Sequence, residues 1–454
     1  MNLPIIHQGE SFAALVSLGC AKNLVDSEIM LPQILALGYR LATDPAKASL
    51  IVVNTCGFLE SAVEEAIETI LDLSSLKTTG MCTQLVVAGC MVQRYGKKLL
   101  DLLPEVDIFL GTSHYGKLKE ILLASRNGNP RKLWISTPRW LHSSQTPRLR
   151  STLPFSAYVK IADGCSNHCT YCMIPHLRGP YRSRSIQDIV REATILVSEG
   201  VKEINLIAQD TTAFGMDRQN EGELIPLLEQ LDDIPHLEWI RILYVYPDRV
   251  TPLLLQTMAQ SRKVVPYLDI PLQHSVPSIL NAMRRKGSFV NPEKLIDLIR
   301  KHIPAMVLRT SFIVGFPGET DQDFLDLLGF VERMKFQHVG VFAFSPEIGT
   351  RAAKMAHQVP LEKKEQRRHT LLEMQREISR QCLQKYIGQT LRVLIEGFHP
   401  ETELLLTGRL AVQAPEVDGS VIITAGEAQR GDIVQAEVTS AHDYDLEAEI
   451  VTSS

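Results

Sequence analysis

Short apolar runs and amphipathic stretches take turns along most of the chain. Phe12–Ser17, Leu50–Val53 and Leu85–Ala88 are compact apolar runs. Between them, Asp26–Leu37 and Leu59–Leu73 repeat apolar residues at helical spacing, and Gly38 stops the first as a C-cap would. Strand–helix–strand alternation predicts a parallel α/β domain over residues 11–125. Residues 126–150 lose the rhythm. Asn127-Gly-Asn-Pro130, Ser136-Thr-Pro138 and Ser143-Ser-Gln-Thr-Pro147 read as a linker by composition.

From 155 to about 350 the alternation resumes. Strands are predicted at 157–161, 203–208, 238–245, 265–270, 306–314 and 338–344, with helices at 186–199, 222–231, 251–259, 276–284, 292–301 and 321–334. Such a series predicts a partial or full β/α barrel, in which the site forms at the C-terminal ends of the strands. Residues 361–386 read as one long, charged helix whose charges form a solvated face. Thr390–Ile395, Leu404–Leu410, Ser420–Thr424 and Ile433–Thr439 then alternate with turn residues, which predicts a small antiparallel β-barrel. The expected division is therefore an α/β domain at 11–125, a linker at 126–150, a β/α core at 151–381 and a terminal barrel at 384–454.

Cysteine placement adds chemistry to this frame. Cys165, Cys169 and Cys172 stand at C-x3-C-x2-C spacing just after the first core strand, and Asp163-Gly164 turns the chain into them. Three thiolates this close suit one soft metal site but are one short of a closed tetrahedron. A 4Fe-4S cluster held by three cysteines keeps one iron without a protein ligand, free to bind a small molecule. The alternative is a structural zinc site completed by His168, although His168 lies inside the loop next to Cys169. A second set is scattered. Cys20, Cys56 and Cys90 follow the three N-terminal strands, about 35 residues apart. Parallel strands bring their carboxyl ends to one edge, where open α/β sheets bind ligands. Three unrelated buried thiols are the simpler alternative. Cys82 and Cys382 fit neither set and read as ordinary thiols.

Composition narrows the setting. Eight cysteines in 454 residues are too sparse for a disulfide scaffold. Met1–His7 lacks a basic start and a long apolar run, so no signal peptide is expected. No uncharged apolar stretch approaches the ~20 residues of a spanning helix. These features point to the cytoplasm and away from a membrane. Net charge is −5, unevenly spread. Residues 386–454 hold three basic and twelve acidic residues, so 3 − 12 = −9, which leaves −5 − (−9) = +4 for the rest. An acidic module repels RNA phosphates and suits a basic protein partner. The alternative is that the acidity only aids solubility.

At this point a resemblance becomes specific. C-x3-C-x2-C with Tyr171 before its last cysteine is similar to the signature of radical S-adenosylmethionine enzymes. Leu18-Gly-Cys-Ala-Lys-Asn-Leu-Val-Asp-Ser-Glu28, Asn54-Thr-Cys-Gly-Phe58 and Gly89-Cys-Met-Val-Gln-Arg-Tyr95 resemble the N-terminal domain of one of their families, the methylthiotransferases. Pro175-His-Leu-Arg-Gly179 and Ile313-Val-Gly-Phe-Pro-Gly-Glu-Thr320 resemble its core, and the terminal barrel resembles a TRAM domain. Ala208-Gln-Asp-Thr-Thr212 and Tyr267-Leu-Asp-Ile-Pro-Leu-Gln-His274 resemble the RimO-type branch, which modifies an aspartate of small-subunit ribosomal protein number twelve. Ser275-Val-Pro-Ser278 departs from the Ser-Asp-Arg-like turn more frequent there.

The resemblance implies two 4Fe-4S clusters. Cys165, Cys169 and Cys172 would hold the one that reduces S-adenosylmethionine, and Cys20, Cys56 and Cys90 a second that carries sulfur. Tyr171 would be a cofactor-binding residue, and no general base is assigned. An electron donor and a sulfur donor are implied as partners beside the basic ribosomal protein, with RNA contact disfavoured. The other readings are a methylthiotransferase acting on transfer-RNA adenosine and a metal-stabilised binding module without catalysis.

Overall fold

A computed structural model describes residues 11–219, 222–285 and 291–451 of the chain. Met1–His7 and residues 452–454 lie outside them. The chain divides into two units. One holds residues up to 151 with 162–167 and 172–184. The other holds 152–161, 168–171 and the chain from 185 onward.

The first unit is built on a parallel sheet. Its strands are β1 (Phe12–Ser17), β2 (Arg40–Leu41), β3 (Leu50–Thr55), β4 (Gln84–Gly89), β5 (Ile108–Leu110) and β6 (Leu133–Trp134), in spatial order β2-β1-β3-β4-β5-β6. Strands covered on both faces read as continuous apolar runs. Ile51, Val53, Leu85 and Val87 pack into one core, while Leu50, Val52, Val86 and Ala88 pack into another. Alternate residues thus serve the two faces of the sheet. β6 lies inside the stretch that composition reads as a linker. Two residues paired to β5 carry no periodicity of their own, so only pairing reveals the strand.

The first helix runs from Ala21 to Leu35, five residues earlier than the apolar spacing suggests. Lys22, Asn23 and Asp26 are buried in it, and buried polar residues hide a helical face from a hydropathy pattern. Two short strands of this unit, β8 (Ala162–Asp163) and β9 (Arg182–Ser183), pair antiparallel. β7 (Ser156–Lys160), just before them, belongs to the second unit.

There β7 joins β10 (Glu203–Ile207), β11 (Trp239–Ile242), β12 (Val264–Asp269), β13 (Val307–Val314) and β14 (His338–Ala343) in a six-stranded parallel sheet, ordered β14-β13-β12-β11-β10-β7. β7 and β14 are edges, so the sheet is open, the partial form of the expected barrel. Helix Leu361–Leu383 follows, and Gln384–Tyr386, expected to continue it, forms a 3₁₀ turn.

β15 (Thr390–His399), β16 (Thr402–Leu410), β17 (Val421–Ala425), β18 (Ile433–Ala441) and β19 (Leu446–Ile450) close into a barrel. Pairing is antiparallel except between β17 and β19, which run parallel. The acidic sequence around β19 gave that strand no apolar run to read. Ion pairs and a hydrogen bond seat the barrel against the core strands. Arg409 of β16 reaches Glu203 of β10 at 2.6 Å, and Asp418 accepts from Arg309 of β13 at 2.6 Å and from the Tyr267 hydroxyl of β12 at 2.7 Å. Among the described residues, no helix is long and apolar enough to cross a membrane.

Candidate functional site

Cys20, Cys56 and Cys90 follow β1, β3 and β4, which are neighbours in the sheet. Ser17 pairs with Asn54, and Asn54 with Ala88, so the three strand ends are level. Glycines allow the close approach. A Cβ on Gly57 would stand 2.6 Å from the Cys90 carbonyl carbon, and one on Gly89, whose φ is +110°, would stand 2.4 Å from the Thr55 oxygen. Buried amides tie the ends together. Asn23 Nδ2 donates to the Leu18 carbonyl at 2.9 Å and to the Thr55 carbonyl at 3.0 Å. Asn54 Nδ2 donates to the Asn23 carbonyl and to Ser27 Oγ, both at 2.9 Å. The bonds from Asn23 satisfy backbone carbonyls at the ends of two strands.

Arg178, at the end of helix Ile174–Arg178, is buried beside them. Its Nε donates to Cys90 Sγ at 3.3 Å. Nη2 donates to Asn23 Oδ1 at 2.6 Å, and Nη1 to Asp26 Oδ2 at 2.5 Å, with Asp163 Oδ2 at 3.5 Å. Burial pushes the Cys90 thiol up to about 12, while the Arg178 charge pulls it the other way. Met173 and Leu177 pack with Cys90 and Phe58. Met173 adjoins Cys172, so Cys172 lies in the same unit as Cys90.

Cys165 is buried, and its N–H donates to the Gly179 carbonyl at 3.0 Å. Gly164 takes φ +84°, and a Cβ there would stand 2.1 Å from the Pro180 oxygen. Cys172 Sγ accepts the Ile174 N–H at 3.5 Å. The middle of the loop is held within the second unit. Thr170 Oγ1 donates to the Ala282 carbonyl at 3.0 Å, and the Thr170 carbonyl accepts from Ala352 N–H at 2.9 Å. Arg285 Nη1 donates to the Tyr171 hydroxyl at 3.2 Å and lies 4.0 Å from Cys169 Sγ. The Tyr171 ring packs on Ile279, Met283, Phe316 and Phe344.

Among the described residues, no three Cys, His, Asp or Glu side chains close on one point as they would around a single ion. The donor set of each group is three thiols. Thiols at level strand ends, with one facing a buried cation, fit an iron–sulfur cluster.

Residues 13–111 match the uncharacterized protein family UPF0004, residues 159–331 the radical SAM superfamily and residues 387–451 the TRAM domain. A ribosomal protein uS12 methylthiotransferase RimO of Syntrophobacter fumaroxidans is 59% identical over 97% of this chain and 99% of its own. The chain belongs to the RimO family of ribosomal protein uS12 methylthiotransferases. A second member, from Trichlorobacter lovleyi, is 46% identical over 96% of this chain and 98% of its own. Among solved structures, the radical S-adenosylmethionine methyltransferase TsrM of Kitasatospora setae shares the fold, with a TM-score of 0.54 at 13% identity over 74% of this chain and 75% of that one.

In this RimO-family chain, other strand ends carry polar residues that periodicity does not single out. His274 follows β12 and Glu319 follows β13, and both are buried. His274 Nδ1 accepts the Val276 N–H at 3.1 Å, while Glu319 accepts from Phe316 N–H at 3.1 Å and Arg367 Nη1 at 2.8 Å. Burial raises the Glu319 carboxyl to about 7 against the pull of Arg367. Gly315, with φ +71°, lies where a Cβ would meet Lys364 Cγ at 2.3 Å. Gly315–Glu319 is thus a turn clamped by the long helix. The departure at Ser275–Ser278 has a local reason: Pro277 opens helix Pro277–Ala282, at a position whose N–H has no helical acceptor.

Arg178, Asn23, Asp26, Asn54 and Arg285 escaped residue-by-residue reading. The available signal was polar residues inside otherwise apolar motifs, at Lys22-Asn23 and Asp26 and at Pro175–Gly179. Cys82 and Cys382 are buried, and burial raises both thiols.

Proposed function

We propose that the chain is a radical S-adenosylmethionine methylthiotransferase that places a methylthio group on the β-carbon of an aspartate in ribosomal protein uS12. The observation that carries this reading is 59% identity over 97% of the chain to a relative of that name. Iron–sulfur clusters and S-adenosylmethionine, when bound, would supply the electron, the radical that removes hydrogen from an unactivated carbon, the sulfur and the methyl group.

The chain's own residues would do the rest. Cys165, Cys169 and Cys172 would hold one 4Fe-4S cluster and leave one iron open. Cys20, Cys56 and Cys90 would hold the second. Arg285 fixes Tyr171 and the Cys169 side of the loop, and Tyr171 would border S-adenosylmethionine. The polar ties among Asn23, Asn54 and Thr55, with Thr55 Oγ1 donating to the Ala88 carbonyl, would help hold the strand ends level. No side chain is assigned as general base, because the sequence identifies none; no side chain of ordinary pKa can deprotonate such a carbon, so the radical would carry that step.

The terminal barrel would meet a basic protein. Glu401, Glu403, Glu416, Glu427, Glu437 and Glu449 are exposed on it, against Arg392 and Arg430. Arg392 is paired with Glu238, and Arg409 is buried. RNA contact is disfavoured for the same reason. The division at 11–125, 126–150, 151–381 and 384–454, a cytoplasmic setting, and an electron donor and a sulfur donor as partners complete the proposal.

Mass spectrometry of uS12 and of transfer RNA from cells lacking the gene tests the substrate. Loss of the aspartate modification is expected. Loss of methylthioadenosine with the aspartate unchanged would overturn the reading. Zinc without acid-labile sulfide in anaerobically purified protein would exclude the enzyme.

A further inference from the structure

We infer that Arg178 sets how readily the cluster at Cys20, Cys56 and Cys90 accepts an electron, through a charge-assisted hydrogen bond to the Cys90 sulfur. The inference rests on the two-cluster reading above. It goes further by giving one residue outside both cysteine sets a positioning and tuning role.

The geometry reserves a single donor for sulfur. Asp26 and Asp163 take Nη1, and Asn23 takes Nη2. A guanidinium is planar, so fixing its two ends fixes the direction of Nε–H. That direction meets Cys90 Sγ at 3.3 Å. The two carboxylates outnumber the one cation, so the guanidinium stays charged in its buried site. A hydrogen bond from a cation withdraws electron density from the thiolate and stabilises the reduced cluster. Hydrogen bonds to sulfur and local charge are among the factors that set such potentials.

The acceptors also come from informative places. Asn23 and Asp26 lie on the helix that starts after Cys20, and Asp163 lies two residues before Cys165. Arg178 itself lies six residues after Cys172. One side chain thus braces the segments that carry Cys20, Cys90, Cys165 and Cys172.

The test uses the full chain with Cys165→Ala, Cys169→Ala and Cys172→Ala, so that only the second set can hold iron. The protein is loaded anaerobically with iron and sulfide and titrated with dithionite. Each cluster gains one electron from that reductant, and the process is followed by electron paramagnetic resonance. Adding Arg178→Gln is expected to lower the one-electron reduction equilibrium at least tenfold, about 59 mV. Arg178→Lys keeps the charge but loses the fork, and is expected to shift it less. An unchanged potential in Arg178→Gln with iron retained would overturn the inference.

Should Arg178→Gln fail to hold iron, Asp26→Asn decides. It removes a countercharge 2.5 Å from Arg178 and should raise the potential. A potential that stays level or falls would overturn the inference. A triple-alanine background that binds no iron would instead overturn the two-cluster reading, and the inference with it.

Discussion

Arg178 and Arg409 are buried alike, each with a side chain 3% exposed, and they differ in one acceptor. Arg409 turns all three of its side-chain nitrogens to oxygen. Nε meets Glu396 at 2.6 Å, Nη2 meets Glu203 at 2.6 Å, and Nη1 meets the Gln413 carbonyl at 2.8 Å. Arg178 meets two carboxylates and an amide but turns Nε to sulfur. A buried cation costs several kcal/mol unless it is paired, so both sites bring carboxylates. What separates a seat from a candidate site is the donor left over. Arg409 seats the terminal barrel on the core, whereas Arg178 points at a thiol.

The sharpest way to break this comparison is at the thiol. Cys90→Ala should remove about half of the bound iron and sulfide and lower methylthio product on uS12 a hundredfold or more, read by iron analysis and mass spectrometry. Retention of all the iron would leave Arg178 facing an ordinary thiol, and the two arginines would then be equivalent.

Arg409→Met comes next. It strips Glu203 of one of two cations and should cost about 3–5 kcal/mol in denaturant unfolding, with iron content unchanged. Iron loss equal to that of Cys90→Ala would erase the distinction.

Acid should weaken the seat. Burial would raise the Glu203 carboxyl, but Arg409 and Arg241 overcome it and hold it at about 2. Glu203 therefore contributes fully above the ordinary carboxyl value of 4.5, and its contribution is lost as pH falls towards 2. The loss is on the order of 3 kcal/mol, to be seen as falling stability in unfolding curves taken through that window. Arg409→Met should flatten this dependence.

The smallest effect is expected at Arg392, a third arginine of the same barrel. It pairs with Glu238 at 2.7 Å while about half exposed. Arg392→Ala should change stability by about 1 kcal/mol or less. A larger cost would mean that exposure does not separate these arginines.

Much of the fold was legible because its strands obey a simple rule. Leu50–Val53 and Leu85–Ala88 are apolar throughout, since both faces of the sheet are covered. Strands β5 and β6 escaped notice, being three and two residues long, and β19 was masked by its acidic neighbours. The local cysteine set needed only spacing. The scattered set needed the inference that parallel strands end together, which the register of β1, β3 and β4 supports.

By itself the sequence determined the cysteines, their spacing after strands and the acidic end, because composition and period-two or helical patterns are properties of neighbours along the chain. Only the tertiary structure decided that Arg178 reaches Cys90 across 88 residues and Asp26 across 152, or that Arg409 reaches Glu203 across 206. A buried charge is placed by partners far away in the chain, and no local pattern records which carboxylate or thiol it will meet.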